Sequence, residues 1–358
     1  MLRNIMTLVA AFAVALCPLR AEEPVKNIIY LIGDGMSIAS VSMMQLVNKY
    51  EPTVFDRAEN VALQKSYSAD NRVTDSAASG TALATGVKTN NTYLGVLPDG
   101  SAVESLFEVA QREGMATGVV VTTYLQHATP AAFYAHVPSR HEYALISEQL
   151  IGSKVDVAIG GGMAFFEERY DGRRKAVRAI EDAGFALATD FEAAKAATPD
   201  SRLLALMADK EVGANSGDYL AEATQKALEL LEARGGDEGF VLMVEGSLID
   251  GMGHGNDAQA QQREMLGFMK AIEVAVDYAA AHKDTLVVVT ADHGTGGLTL
   301  VSANADFTLA EQGVEFRWTT GGHSGEMIPI YLYGAGAELV NGVMENSELG
   351  ALLKSLVE

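Results

Sequence analysis

The sequence predicts a three-layer α/β sandwich, a central and mostly parallel β-sheet flanked by helices. Three observations lead to it. Short β-branched runs recur along the chain, each ending in Gly, Asp, Glu or Thr. Helix-like stretches alternate with them, the arrangement that builds parallel sheets. Of the 358 residues, 48% are hydrophobic, which supplies a sizeable core and excludes a disordered chain.

The runs at 25–32, 117–121, 155–159, 240–244, 285–290 and 328–333 are almost continuously apolar, as strands covered on both faces must be. Between them, 101–112, 218–234 and 257–281 read as helices, the last carrying Met265, Met269, Ile272 and Val276 at helical spacing. The stretch 165–239 is rich in Ala and Glu and poor in catalytic residue types, so it is expected to be helical cladding. No Pro- or Ser-rich linker and no repeat interrupts the pattern, and 22–358 therefore reads as one domain.

Ahead of that domain, Arg3 precedes an apolar run at 5–16, then small residues and Glu22. Residues 1–21 read as a cleaved secretory signal, placing the mature protein in the periplasm or outside the cell. The run is too short to span a bilayer, so no stable membrane anchor is expected after cleavage. Cys17, the only cysteine, lies inside the signal and leaves the mature chain without thiol or disulfide. The formal charge is 26 − 47 = −21. Such a balance argues against nucleic acid as a specific partner and against adhesion to anionic lipid. An anionic substrate would need local cations, and a metal site is the obvious source.

In open α/β sheets the functional crevice lies beyond the carboxyl ends of the strands. There the chain carries Gly33-Asp34-Gly35, Gln126-His127-Ala128-Thr129, Glu245 with Asp250 and His254, and Ala291-Asp292-His293, with His323 just before the last run. These are the oxygen and nitrogen donors that zinc and magnesium take. Gly251 and Gly253, between Asp250 and His254, argue for a loop there and against a helical turn. The segment from Thr74 to Gly86 reads as a helix start, with Ser76 where free backbone N–H groups would meet an anion. Serine there serves equally as a cap. Arg140 has the planar fork that grips two phosphate oxygens. His136, His141 and His282 read as structural or solvated.

With these pieces assembled, the chain resembles the metal-dependent alkaline phosphatases. The resemblance rests on Ile32-Gly33-Asp34-Gly35-Met36, Asp75-Ser76-Ala77-Ala78-Ser79-Gly80-Thr81, Gln126-His127-Ala128-Thr129-Pro130, Gly160-Gly161-Gly162, Val244-Glu245-Gly246 with Asp250 and His254, Thr290-Ala291-Asp292-His293, and Gly322-His323. It implies hydrolysis of small phosphate monoesters, with broad range and an alkaline optimum, through a phosphoseryl intermediate on Ser76. It implies two zinc ions and one magnesium per subunit: one zinc held by Asp34, Asp292 and His293, the other by Asp250, His254 and His323, and the magnesium by Asp34, Thr129 and Glu245. Arg140 would bind phosphate with Asp75 orienting it, and His127 would stand just outside the third metal. Some members carry Asp at the place of His127, which leaves the third metal open, and some carry Lys or His at the place of Gly251. The stretch from Thr299 to His323 is short where many relatives carry a large insertion, so the crown is expected to be short or absent beside the family's usual homodimer. The alternatives are a phosphodiesterase of the same superfamily and a non-catalytic exported metal- or phosphate-binding protein.

Overall fold

The computed structural model describes residues 24–213, 217–302 and 314–358; the expected signal, 1–21, lies outside them. Fourteen strands are found among the described residues: β1 (Asn27–Gly33), β2 (Asn60–Lys65), β3 (Ala116–Tyr124), β4 (Val157–Gly161), β5 (Phe185–Ala188), β6 (Arg202–Leu206), β7 (Phe240–Gly246), β8 (Thr285–Thr290), β9 (Gly294–Thr295), β10 (Leu298–Ser302), β11 (Val314–Trp318), β12 (His323–Ser324), β13 (Ile328–Gly334) and β14 (Gly342–Glu345). The helices are α1 (Ile38–Val47), α2 (Ser76–Thr85), α3 (Leu106–Arg112), α4 (Ala128–Ala131), α5 (Tyr143–Gly152), α6 (Met163–Tyr170), α7 (Arg173–Asp182), α8 (Phe191–Lys195), α9 (Tyr219–Gly235), α10 (Leu248–His254), α11 (Ala258–Ala281) and α12 (Asn346–Ser355).

Ten strands form one sheet in the order β14-β2-β13-β8-β1-β7-β3-β4-β6-β5. Only β13 runs against its neighbours. β1 lies mid-sheet because every one of its residues is buried. Ile28, Tyr30 and Ile32 pack into the apolar layer with α3 and α5, while Ile29 and Leu31 pack into the opposite layer with α9 and α11. The three-layer, mostly parallel sandwich is as the sequence predicts. No described helix is long and apolar enough to cross a membrane.

The structure corrects three local expectations. Within 101–112 the helix starts only at Leu106, because Ser105 and Glu108 form a capping box: Glu108 N–H donates to Ser105 Oγ, and Ser105 N–H to Glu108 Oε2. Within 165–239, β5 and β6 extend one sheet edge among the helices, paired by backbone bonds that composition does not reveal. On the opposite side, β2 and its edge neighbour β14 are not apparent in the sequence because both are half-solvated and read as polar.

Phe268 of α11 lies over the glycines that end β1 and β7. A Cβ on Gly33 would stand 3.0 Å from the ring, and one on Gly246 2.8 Å. The ring thus seals the core directly beneath the carboxyl edge of the sheet. Phe268→Ala should cost about 3–5 kcal/mol of unfolding free energy, measured by denaturant titration, since that ring has no other group to replace it.

Candidate active site

Four parallel strands deliver acidic or imidazole groups to one edge. Asp34 follows β1, Glu245 is the penultimate residue of β7, Asp292 and His293 follow β8, and His127 and Thr129 follow β3. Register aligns them: Ile32 of β1 pairs with both Glu245 and Thr290, and Glu245 also pairs with Val121. Gly35, at φ +73°, makes the turn that packs this edge, since a Cβ there would stand 2.8 Å from both Asp250 Cα and Thr295 Oγ1. Its N–H donates to Asp292 Oδ1 over 3.1 Å.

The glycines between Asp250 and His254 do not make a loop. These residues belong to α10, where i,i+4 spacing brings His254 Nε2 to 3.3 Å from Asp250 Oδ2. Gly253 suits this helix because it passes Thr295 closely, its Cβ position lying 3.1 Å from that side chain, while at Gly251 a Cβ would meet open space.

Three groups of donor atoms result: Asp250, His254 and His323; Asp34, Asp250 and His293; and Asp34, His127 and Glu245. Asp292 Oδ2 lies 3.1 Å from His293 Nε2, beside the second group. Thr129 Oγ1 is buried beside Glu245 of the third. Both oxygens of Asp34, together with Glu245 Oε1, Asp292 Oδ2, Thr129 Oγ1 and His127 Nδ1, are buried without any hydrogen-bond partner. Buried polar atoms are ordinarily paired, and the convergent set of unpaired oxygens fits cations.

The histidines are oriented from behind. His254 Nδ1 donates to Gly321 O over 2.7 Å and His323 Nδ1 to Thr74 O over 2.8 Å, turning each Nε2 toward Asp250. His293 Nδ1 lies 3.3 Å from Thr295 Oγ1, which donates to Asp250 Oδ1 over 2.5 Å. Thr295 and Ser247, whose hydroxyl donates to Glu245, were missed in sequence; a hydroxyl two residues beyond each acid or imidazole was the available signal.

Ser76 is buried at the first position of α2, its Oγ 3.1 Å from His293 Nε2. Asp75 caps the helix, accepting from Ala78 N–H, and its other oxygen accepts from Thr92 N–H and from Arg140 Nη1 over 3.1 Å. Arg140 Nη2 is 3.2 Å from His127 Nε2. Burial and Arg140 together push His127 down to about 3, so its ring is neutral. With Nε2 accepting from Arg140, the ring proton sits on Nδ1, 3.8 Å from Asp34 Oδ2 and 4.0 Å from Glu245 Oε1. His136, bonded to Glu108 and Gly95, and His282, against Tyr278, are structural; His141 lies on the surface.

Residues 25–312 match the sequence model of the family described as alkaline phosphatase. The chain belongs to the alkaline phosphatase family. It is 32% identical to alkaline phosphatase 3 of Bacillus subtilis, over 92% of this chain and 88% of that one. The alkaline phosphatase of the Antarctic bacterium TAB5 superimposes with a TM-score of 0.86 at 33% identity, over 94% of this chain and 98% of that one. The cold-active alkaline phosphatase of a psychrophilic Shewanella gives 0.85 at 31%, over 93% and 100%. As an alkaline phosphatase, the protein is a phosphate monoester hydrolase, and the family implies metal ions that the clustered donors suit.

Burial and neighbouring carboxylates raise Asp34 well above the usual range, and burial pushes Glu245 up to about 8. His254 is raised to about 9, chiefly by its bond to Asp250. All three therefore hold protons in the folded, metal-free protein at a pH where the unfolded chain has released them, so stability falls as pH rises toward about 9. His127 and His293, kept neutral by burial, oppose this only below about pH 6.5. The metal-stripped protein should accordingly melt at a lower temperature at pH 9 than at pH 7. Added zinc and magnesium should restore more stability at pH 9, because cations bind the deprotonated donors.

Proposed function

We propose that the protein is an exported, broad-range phosphate monoester hydrolase with an alkaline optimum, acting through phosphorylation of Ser76. The carrying observation is Ser76 itself, a buried hydroxyl at a helix start 3.1 Å from His293 Nε2, directly after the Asp75 that holds Arg140. Two zinc ions would be held by Asp34, Asp292 and His293 and by Asp250, His254 and His323, and a magnesium by Asp34, Thr129 and Glu245. Bound cations would supply the positive charge that favours an ionised Ser76 hydroxyl and offsets charge on the phosphoryl and leaving oxygens. His127 presents an N–H toward Asp34 and Glu245, which supports a place just outside the third metal.

The residues divide the work as follows. Arg140, held by Asp75, offers its fork to two phosphoryl oxygens, and the free N–H groups at the start of α2 offer further positive charge. Ser76 Oγ loses its proton to solvent, more readily as pH rises, and bonds to phosphorus while the bond to the leaving oxygen breaks. The alcohol departs after taking a proton from water. A second water then cleaves the phosphoserine, releasing inorganic phosphate and restoring the hydroxyl. The family resemblance supports a single catalytic domain over 22–358 with a short or absent crown, a homodimer, and the cleaved signal at 1–21.

Hydrolysis of an aryl phosphate by wild type and Ser76→Ala, with zinc plus magnesium and after chelation, tests this reading. Activity should require both the hydroxyl and the metals, and isotopic phosphate should label Ser76. A folded, metal-loaded wild type that turns over diesters and not monoesters would overturn it. Arg140→Ala should lose about 1.5–3 kcal/mol of transition-state binding, roughly one to two powers of ten in kcat/KM, measured by steady-state kinetics.

A further inference from the structure

α2 is buried along its whole length and built from small residues, so its position is set by what touches its backbone and hydroxyls. Two of those hydroxyls, one turn apart, reach successive residues beyond β8. Ser76 Oγ lies 3.1 Å from His293 Nε2, and Ser79 Oγ donates to Asp292 O over 2.6 Å. The second link does not stand alone. Asn346, fully buried at the start of α12, donates from Nδ2 to Ser79 Oγ over 3.1 Å, leaving the serine proton directed at Asp292 O. Asn346 Oδ1 accepts from Lys88 Nζ over 2.8 Å, which fixes the amide's orientation. Lys88 is tied in turn to Tyr67 O, 2.6 Å away, and to Glu345, 3.3 Å away. Close packing backs the chain of bonds, since a Cβ on Gly350 of α12 would stand 2.4 Å from Ala82 O of α2.

We propose that Ser79 and Asn346 are positioning residues for the nucleophile: the directed chain Lys88→Asn346→Ser79→Asp292 O sets the distance between Ser76 and the Asp292–His293 pair. The proposal rests on the reading of Ser76 as the phosphorylated residue. Neither side chain touches the phosphoryl group. Their effect is expected in the formation of phosphoserine and in the hold on metal through Asp292 and His293, not in phosphate binding through Arg140.

The test compares Ser79→Ala with Asn346→Asp in the full chain. The aspartate keeps the acceptor for Lys88 but cannot donate to Ser79, and it draws the serine proton away from Asp292 O. Rapid-quench measurement of phosphoserine, KM for an aryl phosphate, and zinc loss to a competing chelator are read on folded, zinc-loaded protein. Phosphoserine formation should slow roughly 10- to 100-fold and zinc should be lost roughly tenfold more readily, with KM within about twofold of wild type. Variants that only melt earlier, with wild-type phosphoserine formation and zinc retention per folded molecule, overturn the proposal. Should Ser79→Ala not fold, Asn346→Asp alone decides by the same criteria. A wild type that forms no phosphoserine at Ser76 overturns the nucleophile reading and this one with it, whereas normal wild-type labelling with unaffected variants sinks this one alone.

Discussion

Asp34, Glu245, Asp250 and Asp292 converge on one edge of the sheet, with Arg140 and His254 as the nearby cationic groups. Bringing carboxylates together out of water is costly unless a counter-charge accompanies them. Burial raises Asp34 and Glu245, while Asp250, half-buried, is held down chiefly by its bond to His254 and also by Thr295. The site therefore carries an unmet demand for positive charge. Metal ions, which the family implies, would meet it, and the rest of the architecture keeps the donors in place. The strongly acidic composition of the chain has its sharpest expression here.

The sheet makes this convergence rigid. Parallel register puts the ends of β1, β7, β8 and β3 side by side, and their fully buried stems cannot slide without moving a core residue to the wrong face. Phe268 closes the core immediately below. Above it, Gly35 lets the backbone turn tightly enough for Asp250 and Thr295 to approach. The helix carrying Ser76 is held differently, by hydroxyl bonds and small-residue packing, which allows it to come closer to the loop after β8 than larger side chains would permit.

Much of the site was legible because its donors follow strands whose apolar runs are unmistakable. Asp34, Glu245, Asp292 and His293 could be read as site residues for that reason. His254 was read as a donor while its surroundings were misjudged: two glycines within five residues lower helix propensity, yet tertiary contact with Thr295 favours small residues on that helix. β2 and the edge strand β14 escaped notice because they are half-solvated and lack an apolar signature, and β5 and β6 because they are only four and five residues long within a helix-rich stretch.

The sequence by itself determined the layered α/β plan, the strand ends where donors gather and the helix start that presents Ser76, because hydrophobic period and turn chemistry are local properties. Only the tertiary structure decided which donor atoms stand together, that His127 turns its Nε2 toward Arg140, and that Asn346 stands behind Ser79. Those are relations between residues far apart in the chain, fixed by sheet register and helix packing. A side chain such as Asn346 carries no mark of them until the fold brings its partner within reach of its amide.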